Sequence, residues 1–443
     1  MALAVRLWGL VPVLPGSAWV LLGADALSAM GSGMTLPFLM VYLHTVRGLS
    51  LGVAGAATAT VALAGLVGNP VGGAWVDRFG PRPVLAVGWA TAGLGSCGIA
   101  VASRPWQAFL TAAVLGLGAA LAWPAQDTLL SRLAPEQGRS GVFALRHATL
   151  NLGLAVGGFT AALIADTARP SSFTLLYALD AASFALAIPL LWLLRAPSFA
   201  AEKELQLEGS GAVTQPEDGY RTVVKDRLFR RLWVLVAILV AVGFAQFNSS
   251  FPVYLTSTGM TPTVVGSAFA ANMVTVTVAQ LLVLRLLRRH RRTTAIVVLC
   301  ALWACSWAMV LAGGHLGAGP AAVVFVLAAV TFGLGETLFA PTVPALVNGI
   351  APEALRGRYN GAAAFAYTAG FATGPALGGI LFQHHLASKL LVGLMVACAL
   401  AALLAVSVRH LLPAVVDLID TAPVNESAAP SSTAASDRQE ALA

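Results

Sequence analysis

Twelve apolar stretches, each long enough to cross a bilayer, constrain this chain more than any other feature. They run over residues 17–44, 51–76, 83–102, 105–130, 141–165, 172–195, 230–256, 262–287, 294–313, 320–348, 358–383 and 388–411. About 20 helical residues, rising 1.5 Å each, cross a hydrocarbon core of roughly 30 Å. Lipid offers no water to unpaired amides, so stretches of this length fold as spanning helices. The composition agrees: 58% of residues are hydrophobic, and the 10% charged content is too small to cover a soluble surface. Mean hydropathy is +0.81. No cleaved signal peptide is expected, because Arg6 and the two prolines between Val11 and Gly16 precede the first span without a secretory pattern.

The basic residues sort by loop. With the N-terminus inside, only Arg47, Arg104, Arg169 and Lys389 fall on the outer side, and the other loop arginines and lysines are cytoplasmic. That asymmetry supports an even number of spans with both termini cytoplasmic, and it explains the net charge of +7 without a nucleic-acid partner. Cys97, Cys300, Cys305 and Cys398 all lie inside spans at no metal-binding spacing, and no metal or cofactor is expected. Nor is there a G-x-x-x-x-G-K-[ST] loop, a zinc motif or a nucleophile elbow, which argues against ATP drive and against an enzyme.

The chain divides into a six-helix half at 1–195, a cytoplasmic linker at 196–229, a second six-helix half at 230–411 and a disordered cytoplasmic tail at 412–443. The halves repeat. Gly116, Gly118, Pro124, Arg139, Gly153 and Gly157 return as Gly333, Gly335, Pro341, Arg356, Gly370 and Gly374, each displaced by 217. Parallel repeats of this kind place a substrate site between the halves.

The loop after the second span reads Gly72-Gly73-Ala74-Trp75-Val76-Asp77-Arg78-Phe79-Gly80-Pro81-Arg82. It resembles the G-x-L-a-D-r-x-G-r-k loop of the major facilitator superfamily. The resemblance implies that fold, an all-α membrane protein of twelve helices in two six-helix halves. It also implies a gating motif of Gly73, Asp77, Arg78, Gly80 and Arg82, in which Asp77 latches the start of span 11. The runs Gln246 to Leu255 and Leu334 to Thr342, with Tyr359-Asn360-Gly361, further resemble drug:proton antiporters of the LmrP and MdtH type. By that resemblance Glu336 matches an acid of span 10 used for coupling and cation recognition, whereas Asn248 and Arg146 stand where acids are found.

Four further readings come from the residues themselves. Glu336 sits mid-span between Gly333, Gly335, Leu338 and Phe339, where a carboxylate costs a few kcal/mol on even the mildest insertion scale. It must be protonated, paired or facing a water-filled cavity; a structural hydrogen bond is the alternative. Asp25, Asp127 and Arg146 fall at similar depth, so Arg146 is expected to pair with one of the two acids. Glu336, Asp25 and Asp127 are therefore the proton-coupling candidates. Tyr42, Trp123, Gln126, Gln246, Phe247, Asn248 and Phe339 are the substrate-binding candidates, offering apolar contact and cation–π capacity with few fixed hydrogen bonds.

The expected function is secondary active transport, as proton-coupled efflux of hydrophobic, amphipathic or lipid-like compounds by alternating access. Uptake or exchange of a small metabolite, a membrane receptor and a membrane-embedded enzyme are the alternatives. The expected partners are a small molecule, protons and the bilayer of the inner membrane, with the protein a monomer.

Overall fold

The computed structural model describes residues 14–133, 139–193, 219–287, 290–352 and 355–419. Twelve long helices account for most of them: α1 Gly16–Val46, α2 Leu51–Phe79, α3 Pro81–Val101, α4 Pro105–Leu133, α5 Arg139–Ile164, α6 Pro170–Leu190, α7 Arg227–Ser257, α8 Pro262–Leu286, α9 Arg292–Gly313, α10 Ala318–Ile350, α11 Arg356–Gln383 and α12 Ala387–Arg409. Eleven are long and apolar enough to span by length and composition, among the described residues. In α5 the purely apolar part is Ala148–Ile164, because the first turns carry Arg139 and Arg146.

The packing repeats with a shift of six helices. α1 packs on α5 and α6, α3 on α4 and α6, and α2 on α4; α7 packs on α11 and α12, α9 on α10 and α12, and α8 on α10. The glycines of the 217-residue repeat lie at these crossings. A Cβ at Gly116 would strike the Val61 backbone of α2, and one at Gly333 would press on Asn272 of α8. Gly157 lies against the Met30 carbonyl of α1, and Gly374 against Ala245 of α7. In membranes, where apolar area alone does not drive association, close approach through small residues supplies the van der Waals contact that holds helices together.

Two seams join the six-helix sets, α2 with α11 and α5 with α8. Both are tight at one end. Gly52 N–H donates to Gln383 Oε1 at 3.0 Å, Gly55 lies on the Gly379 backbone, and Thr263 Oγ1 donates to the Ala162 carbonyl at 2.9 Å. At the other end, which carries the α2–α3 turn and is called the inner end here, the α2–α11 seam parts. A cleft of about 660 Å³ opens between Asn69 and Pro70 of α2 and Phe365 and Thr368 of α11.

Two expected boundaries are corrected. Residues 219–229, assigned to the linker, include a helix Gly219–Lys225 and the start of α7, where Asp226 caps the helix by accepting from the amides of Leu228 and Phe229. The first residues of the expected tail are also folded. Asp417 is buried and accepts from Thr293 N–H and Thr293 Oγ1, both at 2.9 Å, while Arg292 donates to the Val416 carbonyl. The physical reason is a missing cap: α9 starts at Arg292 with no capping side chain of its own, and Asp417 supplies the acceptor from the far end of the chain.

Candidate functional site

Between the two six-helix sets lies a cavity of about 590 Å³. α1 contributes Leu36 and Pro37, α2 Thr58 and Val61, α4 Trp123, and α5 Asn151 and Leu154; α7 contributes Phe244 and Asn248, α8 Phe269 and Met273, α10 Glu336, and α11 Phe371 and Pro375. Local breaks aim several of these inward. α1 tightens at Leu36–Phe38 around Pro37. α7 is interrupted at Gly243, whose Cα faces the Trp303 ring so closely that no side chain fits, and the Trp307 indole donates to the freed Val242 carbonyl at 3.1 Å. That break sets Phe244 and Asn248 on the cavity wall.

Glu336 is the one ionisable group among the residues lining the cavity. The Asn272 side chain of α8 stands beside it, and the rest of the cavity lining is largely apolar. Behind the α4 wall stands a different arrangement. Arg146 Nε donates to Asp25 Oδ2 at 3.0 Å, Arg146 Nη2 to Gln126 Oε1 at 2.9 Å, and Arg146 Nη1 to Asp127 Oδ1. Gln126 Nε2 donates to the other Asp25 oxygen at 2.7 Å. The guanidinium also lies 5.2 Å from the centre of the Trp123 ring. Asp25, Gln126 and Arg146 are buried, whereas the Asp127 side chain is 41% exposed. The expectation of one partner acid is thus corrected: Arg146 holds both, because a planar guanidinium has five donors in a fixed fork.

A family model described as Major Facilitator Superfamily matches residues 21–319 and 247–434. The chain belongs to the Major Facilitator Superfamily.

Within the superfamily, it is 28% identical over 372 residues to the uncharacterised MFS-type transporter YqjV of Bacillus subtilis (strain 168), covering 82% of this chain and 85% of that one. A Na(+), Li(+), K(+)/H(+) antiporter of Planococcus maritimus is 26% identical over 365 residues, 76% of this chain and 82% of that one. The multidrug resistance protein MdtH of Cronobacter sakazakii (strain ATCC BAA-894) is 33% identical over 115 residues, 26% of this chain and 28% of that one. Among solved structures, the nucleoside transporter NupG superposes with a TM-score of 0.71 at 13% identity, covering 89% of this chain and 99% of that one. The fold is that of the major facilitator superfamily, and the protein is a multi-span membrane transporter and not an enzyme.

Of the expected substrate-binding residues, Trp123 and Asn248 line the superfamily cavity. The others are corrected. Tyr42 is fully buried among α1, α3 and α6, donates to the Ala100 carbonyl at 2.7 Å, accepts from Arg47 Nε at 2.7 Å and stacks on Phe173. Gln246 is buried against α11, donating to the Gly374 carbonyl at 2.8 Å. Phe247 stacks on Phe251 and Phe332 behind the wall, and Phe339 packs edge-on to Phe244 and Tyr367. Gln126 belongs to the Arg146 cluster. In the gating motif, Gly80 ends α2 and starts α3 at φ 86°, a conformation open to glycine, and Arg78 lies over the Phe79 ring. The latch of Asp77 on the start of α11 concerns side chains outside the described residues.

Sequence reasoning missed Thr58, Asn151, Phe244 and Met273. Asn151 had a usable signal, a polar amide in an apolar span; the others are ordinary span residues that only the helix rotation places on the cavity.

Proposed function

We propose that this protein is a proton-coupled exporter of hydrophobic or amphipathic organic compounds, chiefly cations, working by alternating access in the cell membrane with both termini cytoplasmic. The observation that carries the reading is Glu336, a single carboxylate in a largely apolar cavity with Trp123, Phe244, Phe269 and Phe371. A protonated Glu336 is neutral and leaves the cavity to the apolar part of a substrate; its ionised form attracts a cation, so proton and cargo compete for one group. Asp127, the partly exposed acid, is the second protonatable site. Asp25, with both oxygens engaged, keeps Arg146 in place. The resemblance to MdtH supports an exporter of this type.

The Planococcus antiporter matches a larger share of the chain and favours a second reading, exchange of alkali cations for protons. The cavity supports it less well: an alkali ion needs a shell of close oxygens to replace its water, and here one carboxylate, two amides and two hydroxyls are spread over a wall of about 590 Å³.

Proteoliposomes under an imposed pH gradient decide between them. Uphill movement of a lipophilic dye cation that Glu336→Gln abolishes is the expected result. Sodium or potassium flux without dye flux would replace the first reading by the second.

A further inference from the structure

Asp180 of α6 is an acid that belongs neither to the cavity wall nor to the Arg146 cluster. It is buried between α1, α3 and α6, and none of the ion pairs among the described residues includes it. Its partners are hydroxyls. Ser96 Oγ of α3 lies 2.7 Å from Asp180 Oδ2, and Thr35 Oγ1 of α1 lies 3.1 Å from the same oxygen. The other oxygen, Oδ1, is buried without a donor. It faces Gly31 of α1, where a Cβ would collide with both Asp180 Oδ1 and Ser183 Oγ, so no donor side chain fits between the two helices. The titratable groups nearby are Tyr177, one turn away on α6, and Tyr42 of α1, whose ring centre lies 4.9 Å from that of Tyr177.

Counting hydrogens decides the form of this carboxyl. An ionised carboxylate at this depth, with no cation and all its donors on one oxygen, would be an uncompensated buried charge. A neutral acid fits the same atoms. Ser96 Oγ is also 3.2 Å from the Tyr177 carbonyl, and Thr35 Oγ1 is 3.4 Å from the Ser32 carbonyl, so each hydroxyl has a backbone acceptor besides Asp180. A hydroxyl carries one hydrogen and rotates to suit. With a proton on Oδ2, the acid donates to Ser96 Oγ, Ser96 donates to the Tyr177 carbonyl, and Thr35 still donates to Oδ2. Every hydrogen is then used, and Oδ1 is left as an uncharged carbonyl oxygen.

The tie to α1 falls at a mechanically sensitive place. Thr35 is the last residue of the regular stretch Gly16–Thr35, and the next two residues, Leu36 and Pro37, begin the tightened turn and line the cavity. We propose that Asp180 holds a proton in the folded protein and, as a neutral acid, is a positioning residue that fixes the break of α1 and with it the Leu36–Pro37 wall of the cavity. Loss of that proton would set an unpaired anion against Gly31 and favour withdrawal of α1 from α6. The inference does not depend on which cargo the protein moves.

The test uses the full chain in vesicles of phosphatidylethanolamine and phosphatidylglycerol. Infrared difference spectra between the wild type and Asp180→Asn read the protonation directly: the carbonyl stretch of a protonated carboxylic acid should be present in the wild type and lost in the variant. A carboxylate band in its place overturns the proposal. The α1 break is read by adding Leu36→Cys and timing its reaction with a water-soluble maleimide, against the same chain without that cysteine. Asp180→Asn, whose two amide hydrogens can serve Ser96 and Thr35, should label like the wild type. Thr35→Val and Asp180→Ala should shift the rate by about fivefold, the scale of one lost hydrogen bond. An unchanged rate in Thr35→Val, or a rate in Asp180→Asn displaced as far as in Asp180→Ala, overturns the positioning role. Thermal unfolding of each variant separates a displaced α1 from a damaged fold. Should Asp180→Ala not fold, the near-isosteric Thr35→Val carries the test; should that also fail, the infrared band and the Asp180→Asn rate still decide. Labelling needs no cargo, so a wild type that moves no dye cation would sink the efflux reading and leave this one to its own result.

Discussion

Asp25 and Glu336 are both carboxylates deep in apolar helices, one in each six-helix set, and they are held in opposite ways. Asp25 is fully buried with each oxygen taken, one by Arg146 at 3.0 Å and one by Gln126 at 2.7 Å. Glu336 has the Asn272 amide beside it and otherwise the cavity. A buried charge with good partners is expensive to break and so acts as scaffold. A carboxylate left without a cation at a cavity wall is free to exchange a proton or meet a charged substrate. The comparison teaches that location in the membrane does not assign a role to an acid; its partners do.

Four substitutions test that contrast, in order of their effect on folding. Arg146→Ala strands Asp25 and leaves Asp127 unpaired, and should cost about 3–5 kcal/mol, read as lower yield and earlier thermal unfolding in detergent. Adding Asp25→Asn should recover part of that loss, since one uncompensated charge disappears. Strictly additive losses would mean that the cluster is not the coupled unit its geometry shows.

Tyr42→Phe removes a hydrogen bond to the Ala100 carbonyl and the acceptor for Arg47, both away from the cavity. About 1 kcal/mol of stability should go while transport kinetics stay unchanged. A change in substrate preference would return Tyr42 to the binding site.

Asp127→Asn should be milder, below about 1 kcal/mol, because the side chain is partly exposed and water already screens its pairing with Arg146. Its signature belongs in the proton count: flux measured against membrane potential should show one proton fewer per substrate. An unchanged count would leave Glu336 as the sole coupling acid.

Glu336→Gln should alter stability least, within about 0.5 kcal/mol, since the amide keeps the shape and no ion pair is lost. Uphill transport should nevertheless vanish while downhill exchange persists. Wild-type uphill transport in this variant would erase the contrast with Asp25 altogether.

Much of the fold could be read before any coordinates. The apolar stretches place each helix to within a few residues, and α11, expected at 358–383, ends at Gln383. The 217-residue offset anticipates that α4 and α10, and α5 and α11, make equivalent crossings, because the repeated glycines are where backbones touch. The site was harder. Glu336 and Trp123 were found through cost and size, whereas Tyr42, Gln246, Phe247 and Phe339 look identical in sequence to cavity residues and turn out to pack behind the wall. A spanning helix is apolar all round, so its pattern carries little signal for which face meets a cavity, a neighbour or lipid.

By itself the sequence determined the helices, their repeat and the presence of charges that the membrane must neutralise, since backbone satisfaction in lipid and the cost of a buried ion are local requirements. Only the tertiary structure decided that Arg146 binds two acids, that Asp417 caps α9 from 124 residues away, and that the α2–α11 seam opens at its inner end. Those outcomes depend on the rotation and approach of helices distant in sequence, set by the close fit of small residues across each crossing and by which polar groups come within about 3 Å of one another.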